Sequence, residues 1–199
     1  MDKKAFFNEM APTWDQRFYP PAMQERLRPL AADFHLRPGA RVLDLGAGTG
    51  GIIPFLLQAV GKAGSIEAVD FAEEMVRIGS EKFRDDPRVR FHLAAAEALD
   101  FPDSSFDHVV CFGLFPHLED KAEALREMAR VLRRNGTLII AHALSSAELR
   151  ERHQGNPPVS TDFLPAEEAM KGLLTAAGLR LLRLIDRPRY YLCEGKKES

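Results

Sequence analysis

The stretch Val42-Leu43-Asp44-Leu45-Gly46-Ala47-Gly48-Thr49-Gly50 decides the fold of this chain. Arg41 to Leu45 reads as a short apolar strand, glycines follow, and Gly50 to Val60 reads as an apolar helix. Glycine allows positive φ and lets a ligand approach the backbone closely. The first N–H groups of the next helix then face that ligand. Three alternating glycines are more than an ordinary tight turn requires. Outward from this segment the pattern repeats. Ser65–Asp70, Val89–Leu93, Asp107–Phe112 and Gly136–Ala143 read as strands, with a helix at Ala72–Phe83. Asp120–Leu132 is an amphipathic helix with Ala122, Leu125, Met128, Ala129 and Leu132 on one face. Such alternation implies parallel strands with helical crossovers on both faces of a sheet. Leu179–Asp186 and Tyr190–Glu194 are strand-like and separated only by Arg187-Pro188-Arg189, too short for a crossover helix, so they should pair antiparallel.

The bulk numbers agree with one α/β domain. The chain has 199 residues, 45% apolar and 28% charged, with 27 Lys and Arg against 29 Asp and Glu, a net charge of −2. That balance argues against an extended nucleic-acid surface. Cys111 and Cys193 form neither a ligand spacing nor a disulfide framework, which favours a reducing, cytoplasmic setting. The start, MDKKAFFNEMAPTW, has no signal-peptide apolar core, and no apolar run is long enough to span a bilayer.

The glycine pattern alone does not choose a ligand. Gly46, Gly48 and Gly51 also satisfy the dinucleotide fingerprint. Asp44 discriminates: a carboxylate beside the loop would repel a pyrophosphate seated on the helix N-terminus. S-adenosylmethionine has no phosphate and carries a cationic ammonium and sulfonium, which an acid there would favour. Asp44 to Gly50 resembles motif I of the class I S-adenosylmethionine-dependent methyltransferases, and the order and spacing of the chain from about Leu36 to Gly178 resemble that family too. The resemblance implies a Rossmann-like three-layer α/β sandwich with a mostly parallel seven-stranded sheet and a C-terminal antiparallel hairpin.

It also implies a set of cofactor-binding residues. Gly46, Ala47, Gly48 and Gly50 would lie under the methionine part, with Asp44 near its charges. Asp70, 20 residues after Gly50, resembles the ribose-binding acid and also suits an N-cap of the next helix. Phe71 and Met75 resemble the neighbours of adenine. Ala95 occupies the position where many members carry an acid, so adenine would be read by backbone near Ala96 or by Glu97. Ser105-Phe106-Asp107 matches the family's signal before the fourth strand, and the backbone from Cys111 to Gly113 would line the cofactor. Cys111 itself reads as a small buried residue.

His117, His142 and His153 map near the carboxyl ends of the strands, where ligands bind in open α/β sheets. A histidine suits proton removal from an acceptor near neutral pH. Their spacing is not a compact ligand motif, so no metal is expected. Ser145 and Glu148 suit a capping box for a short helix over Ser145–Arg152. The following loop, with Gly155, Asn156, Pro157, Pro158 and Asp162, could cover an acceptor, and Pro165 suits the first turn of the next helix. Phe6 to Tyr19, with Trp14 and Arg17, could form a second lid, which divides the chain into a helical segment over residues 1–35 and a cofactor domain over 36–199.

The expected activity is methyl transfer to a small-molecule acceptor, with no nucleic acid or membrane partner. No Asn/Asp-Pro-Pro-Tyr motif follows the fourth strand. A non-catalytic cofactor-binding protein of the same fold stays open, and an NAD-dependent oxidoreductase is disfavoured by Asp44 and the terminal hairpin. Neither the acceptor atom nor an oligomeric state can be read from the residues.

Overall fold

The computed structural model of the chain describes residues 3–155 and 159–198. Seven strands form one sheet: β1 (Arg41–Leu45), β2 (Ser65–Asp70), β3 (Val89–Leu93), β4 (Phe106–Phe112), β5 (Leu132–His142), β6 (Leu179–Arg187) and β7 (Tyr190–Lys197). Their order is β3-β2-β1-β4-β5-β7-β6. The first five are parallel, and β7 lies antiparallel between β5 and β6. Pro188 and Arg189 alone connect β6 to β7. Proline presets one turn position, and Arg189 takes the left-handed conformation at φ 63°.

Alternation along the strands sorts the core into two layers. Val42, Val110, Ile139 and Leu192 point to one side, against α3 (Pro21–Ala32) and α4 (Ile53–Val60). Leu43, Val109, Cys111, Ile140 and Cys193 point to the other, against α6 (Lys121–Val131) and α8 (Glu167–Ala176). This is the α/β three-layer sandwich expected from the sequence. Gly79, in α5 (Glu73–Lys82), lies against the Phe91 ring so closely that an added Cβ would come within 2.3 Å of it.

Element boundaries differ from expectation in three places. The first crossover helix begins at Ile53 rather than Gly50, because residues up to Ile52 complete the glycine turn and Pro54 sits in its first turn. β5 begins at Leu132, directly where α6 ends, and Asn135 at φ 63° lets the chain turn ahead of Gly136. Pro165 precedes the N-cap Ala166 of α8 and is not in its first turn.

Before the sheet, α1 (Lys3–Met10), α2 (Trp14–Phe18) and α3 cross its carboxyl edge. Asn8 Oδ1 accepts from Glu74 N at 3.0 Å, and Asp15 accepts from Thr49 Oγ1 at 2.5 Å and pairs with Lys82 at 2.8 Å. Thr49 belongs to the glycine loop, so the N-terminal segment is fastened onto it. α7 (Ser146–His153) begins with the expected capping box, Ser145 with Glu148. Glu148 also accepts from Arg189 N at 2.7 Å, which ties α7 to the terminal hairpin. No helix among the described residues is long and apolar enough to cross a membrane.

Ser145 is buried, and its hydroxyl caps the helix that carries His153. Ser145→Ala should lower stability by about 1 kcal/mol in urea denaturation, and Ser145→Asp should retain most of it.

Candidate active site

The sheet order reverses between β1 and β4, which pair side by side while their crossovers run in opposite directions. A crevice opens at the carboxyl end of such a pair. The glycine loop leaves β1 there. Gly46 N and Ala47 N donate to Val69 O at 2.8 and 3.0 Å, so the loop is laced to β2. Gly46 has φ 75°, and an added Cβ would sit 2.5 Å from Leu114 Cβ. At Gly48, φ 55°, a Cβ would lie 3.2 Å from Trp14 Nε1. Gly51 packs flat against the Tyr19 ring, 2.3 Å from such a Cβ. These positions exclude side chains on steric grounds.

Three cavities lie along this edge. One of about 440 Å³ is lined by Gly46, Asp70, Phe71, Ala94 to Glu97, Leu114 and His117, with Glu119 and Asp120 at its rim. A second, of about 420 Å³, lies over the ends of β4 and β5, between Phe112, Gly113, His142, Leu144, His153 and the aromatic side chains of α1 and α2. A narrow one of about 80 Å³ lies between them, walled by Trp14, Ala47, Gly48, Met75, Gly113 and Leu114. His117 lines all three.

Most of the sequence-derived cofactor residues gather here. Gly46, Ala47, Gly48, Asp70, Phe71, Met75, Ala96, Glu97 and Gly113 all face these spaces. Asp44, Gly50 and Cys111 line none of the three. Cys111 is fully buried, and burial pushes its thiol up out of the reactive range. Gly50, φ 83°, is packed by Phe83 and Phe91 behind the loop.

Asp44 lies beneath the loop, 1% exposed, and neither carboxylate oxygen has a hydrogen-bond partner among the described residues. Burial, and then the charge of Asp70, push its pKa up to about 7. Asp70 is better satisfied: Gly48 N donates to Oδ2 at 2.8 Å and Ala72 N to Oδ1 at 3.0 Å. Burial raises its pKa, and the backbone N–H bonds from Ala72, Gly48 and Phe71 oppose that rise.

The histidines occupy distinct environments. His117 Nδ1 lies 2.7 Å from Asp162 Oδ2, and Lys3 Nζ donates to Asp162 Oδ1 at 2.9 Å and to His117 O at 3.0 Å. Burial opposes charge on Asp162, but the hydrogen bonds from His117 and Lys3 prevail and hold its pKa below the ordinary value. An ionised carboxylate only accepts, so the Nδ1 of His117 carries the proton and Nε2 stays free to receive one. His153 Nδ1 donates to Asp162 O at 2.7 Å, and its ring lies 5.3 Å from that of His117. Leu144 N donates to His142 Nδ1 at 2.9 Å, which leaves the His142 proton on Nε2. Burial lowers the His142 pKa to about 4, so this ring is neutral and a donor. Among the described residues no group of three His, Cys, Asp or Glu side chains is arranged to hold a metal ion.

No motif or spacing marks Lys3 or Leu114 as site residues, and Asp162 reads from the residues only as part of a loop. Asp162 is 45 residues from His117, and Lys3 is 159 residues from Asp162, so only the fold joins them. Of the expected covering loop, Gly155 and Asp162 are seen, Val159 lines the second cavity, and Asn156, Pro157 and Pro158 lie outside the described residues.

A methyltransferase-domain family model matches residues 42–136, from β1 through the start of the glycine-containing half of β5. The ubiquinone/menaquinone biosynthesis C-methyltransferase UbiE of Shewanella sediminis is 42% identical over 108 residues, covering 52% of this chain and 43% of that protein. The match therefore spans less than half the length of such relatives. A crystal structure of a SAM-dependent methyltransferase from Aquifex aeolicus superposes with a TM-score of 0.76 at 26% identity, covering 94% of this chain and 98% of the other. Residues 42–136 thus resemble the methyltransferase-domain family, and the chain shares its fold with an S-adenosylmethionine-dependent methyltransferase. A Haloferax volcanii protein solved with the Trm112 methyltransferase activator shares the fold, with a TM-score of 0.79 at 20% identity over 97% of this chain and 98% of the other. The β1–β4 crevice thus lies where this fold class places its ligands.

The raised pKa of Asp44 sets a stability trend. Its folded value, about 7, lies above the ordinary carboxylate value of 3.8, so its charge destabilises the ligand-free fold increasingly as pH rises between them. Asp44→Asn should therefore be more stable than the unsubstituted chain at pH 8, with the difference shrinking toward pH 4. Urea denaturation across that range measures it.

Proposed function

We propose that this chain transfers a methyl group from S-adenosylmethionine to a small-molecule acceptor, with His117 receiving the proton that the acceptor gives up. The observation that carries this reading is the position of His117: it lines all three cavities, with Nδ1 held by Asp162 and Nε2 free.

The residues present fit the cofactor. Asp44 is a buried carboxylate without a partner among the described residues, beneath a loop whose glycines leave no room for side chains, and a cationic ligand would offset its charge. When bound, S-adenosylmethionine supplies a methyl group activated by a positive sulfur. Gly46, Ala47 and Gly48 would form the bed of its methionine part, while Gly50 shapes the loop from behind. Asp70 spends one lone pair per oxygen on backbone N–H groups and keeps others for ribose hydroxyls. Phe71, Met75, Ala96 and Glu97 would surround the adenine, with no acid at Ala95.

The remaining residues position and shield the acceptor. Asp162 orients His117, and Lys3 keeps Asp162 ionised. His142 offers a hydrogen-bond donor at the far wall. Residues 1–35 act as a lid on the domain formed by 36–199: Trp14 and Tyr19 cover the glycine loop, and Phe7 lies edge-on to His117 at 5.6 Å. Such cover excludes water from the crevice. The name of the UbiE relatives, C-methyltransferases of quinone biosynthesis, supports a small-molecule acceptor. No described helix crosses a membrane, and no nucleic-acid partner is proposed.

The test is transfer of a labelled methyl group from S-adenosylmethionine across a panel of small aromatic acceptors. His117→Ala should lower kcat by about 10²- to 10⁴-fold, with the affinity for S-adenosylhomocysteine retained. Asp162→Asn should lower kcat by a smaller factor. Unchanged turnover in His117→Ala would overturn the role assigned to it.

A further inference from the structure

The two larger cavities differ in charge. The one on the Asp70 side is edged by Asp70, Glu97, Glu119 and Asp120, and its two lysines are already paired, Lys3 with Asp162 and Lys4 with Glu73. That half suits a cation. The cavity over β4 and β5 has no Asp or Glu in its lining and two arginines, Arg17 and Arg152. The Arg152 guanidinium lies over the Phe18 ring, 5.6 Å from its centroid, and Arg17 Nη1 lies 3.5 Å from Met10 Sδ. Neither has a carboxylate partner among the described residues. Burial above all lowers the pKa of His142 and His153, and the charge of Arg152 adds a smaller push in the same direction. Between the arginines and the histidines the walls are aromatic, chiefly Phe6, Phe7, Trp14 and Phe112.

We infer that this second cavity takes a flat aromatic carboxylate as the acceptor, its ring among the aromatic side chains and its carboxylate bound by Arg17 and Arg152. A planar guanidinium recognises a carboxylate through paired N–H bonds, whereas an amide of the same shape lacks the charge. A cavity of about 420 Å³ lies within the range of small-ligand sites. Charge is thereby divided across the crevice, with acids on the cofactor side and cations on the acceptor side. This inference rests on the methyltransferase reading proposed above.

The test is calorimetric titration of the full chain with 1-naphthoate and 1-naphthamide, each with and without saturating S-adenosylhomocysteine. The unsubstituted chain is compared with Arg17→Met, Arg152→Met and the double variant, and thermal melting verifies that each variant folds. The acid should bind about tenfold or more tightly than the amide. Each single variant should reduce that preference, and the double variant should nearly abolish it without changing the affinity for S-adenosylhomocysteine. Equal binding of acid and amide, or displacement of 1-naphthoate by S-adenosylhomocysteine, overturns the inference while leaving the methyltransferase reading intact. Failure of S-adenosylhomocysteine to bind at all would instead remove that reading, and the acid-over-amide preference without it would still decide the nature of the second cavity.

Discussion

An unpartnered carboxylate buried at the reversal of strand order is the constraint on which this site depends. Asp44 sits on β1, between β2 and β4, under a loop that hydrogen bonds to β2 through Gly46 and Ala47. Burying an unpaired charge is costly unless it is neutralised or matched. The fold tolerates this one because the sheet around it is held from both sides by two apolar layers. Under the proposed function the positive sulfonium and ammonium of S-adenosylmethionine would offset the charge of Asp44. Local destabilisation of this kind is common where a protein is built to bind.

The rest of the crevice follows from that placement. Asp70 braces the loop from β2 through Gly48 and starts α5 through Ala72, so one side chain links the strand, the loop and the next helix. The N-terminal helices close the top, with Asp15 on Thr49 and Lys82, Trp14 on Gly48 and Tyr19 on Gly51. α7 and the segment after it close the far side and bring Asp162 to His117. His117 stands where these pieces meet, at the border of a cavity edged by acids and one edged by arginines.

The fold was legible because its signals are local or periodic. The strand–glycine–helix unit, the alternating apolar strands and the two-residue corner at Pro188 each follow from short stretches of chain. Boundaries slipped where tertiary context decided them: the glycine turn absorbed residues up to Ile52, and pairing with Phe106 extended β5 back to Leu132. Most of the residues expected around the glycine loop do line the crevice, because the loop, Asp70 and residues 94–97 all follow adjacent parallel strands. The partners of His117 were not legible. Lys3 and Asp162 reach it from opposite ends of the chain, and no spacing or periodicity announces such a contact. Cys111 is the opposite case: its strand reaches the crevice, but its side chain falls on the core side of the pleat.

The central claim is that the acidic half of the crevice binds S-adenosylmethionine. Calorimetric titration with S-adenosylmethionine, S-adenosylhomocysteine and NADH, on the unsubstituted chain and on Asp70→Ala, tests it most directly. The account predicts saturable binding of the first two, weakened about tenfold or more when Asp70 is removed, and none of NADH. Binding of NADH alone would overturn it, because the loop above Asp44 would then be holding a pyrophosphate.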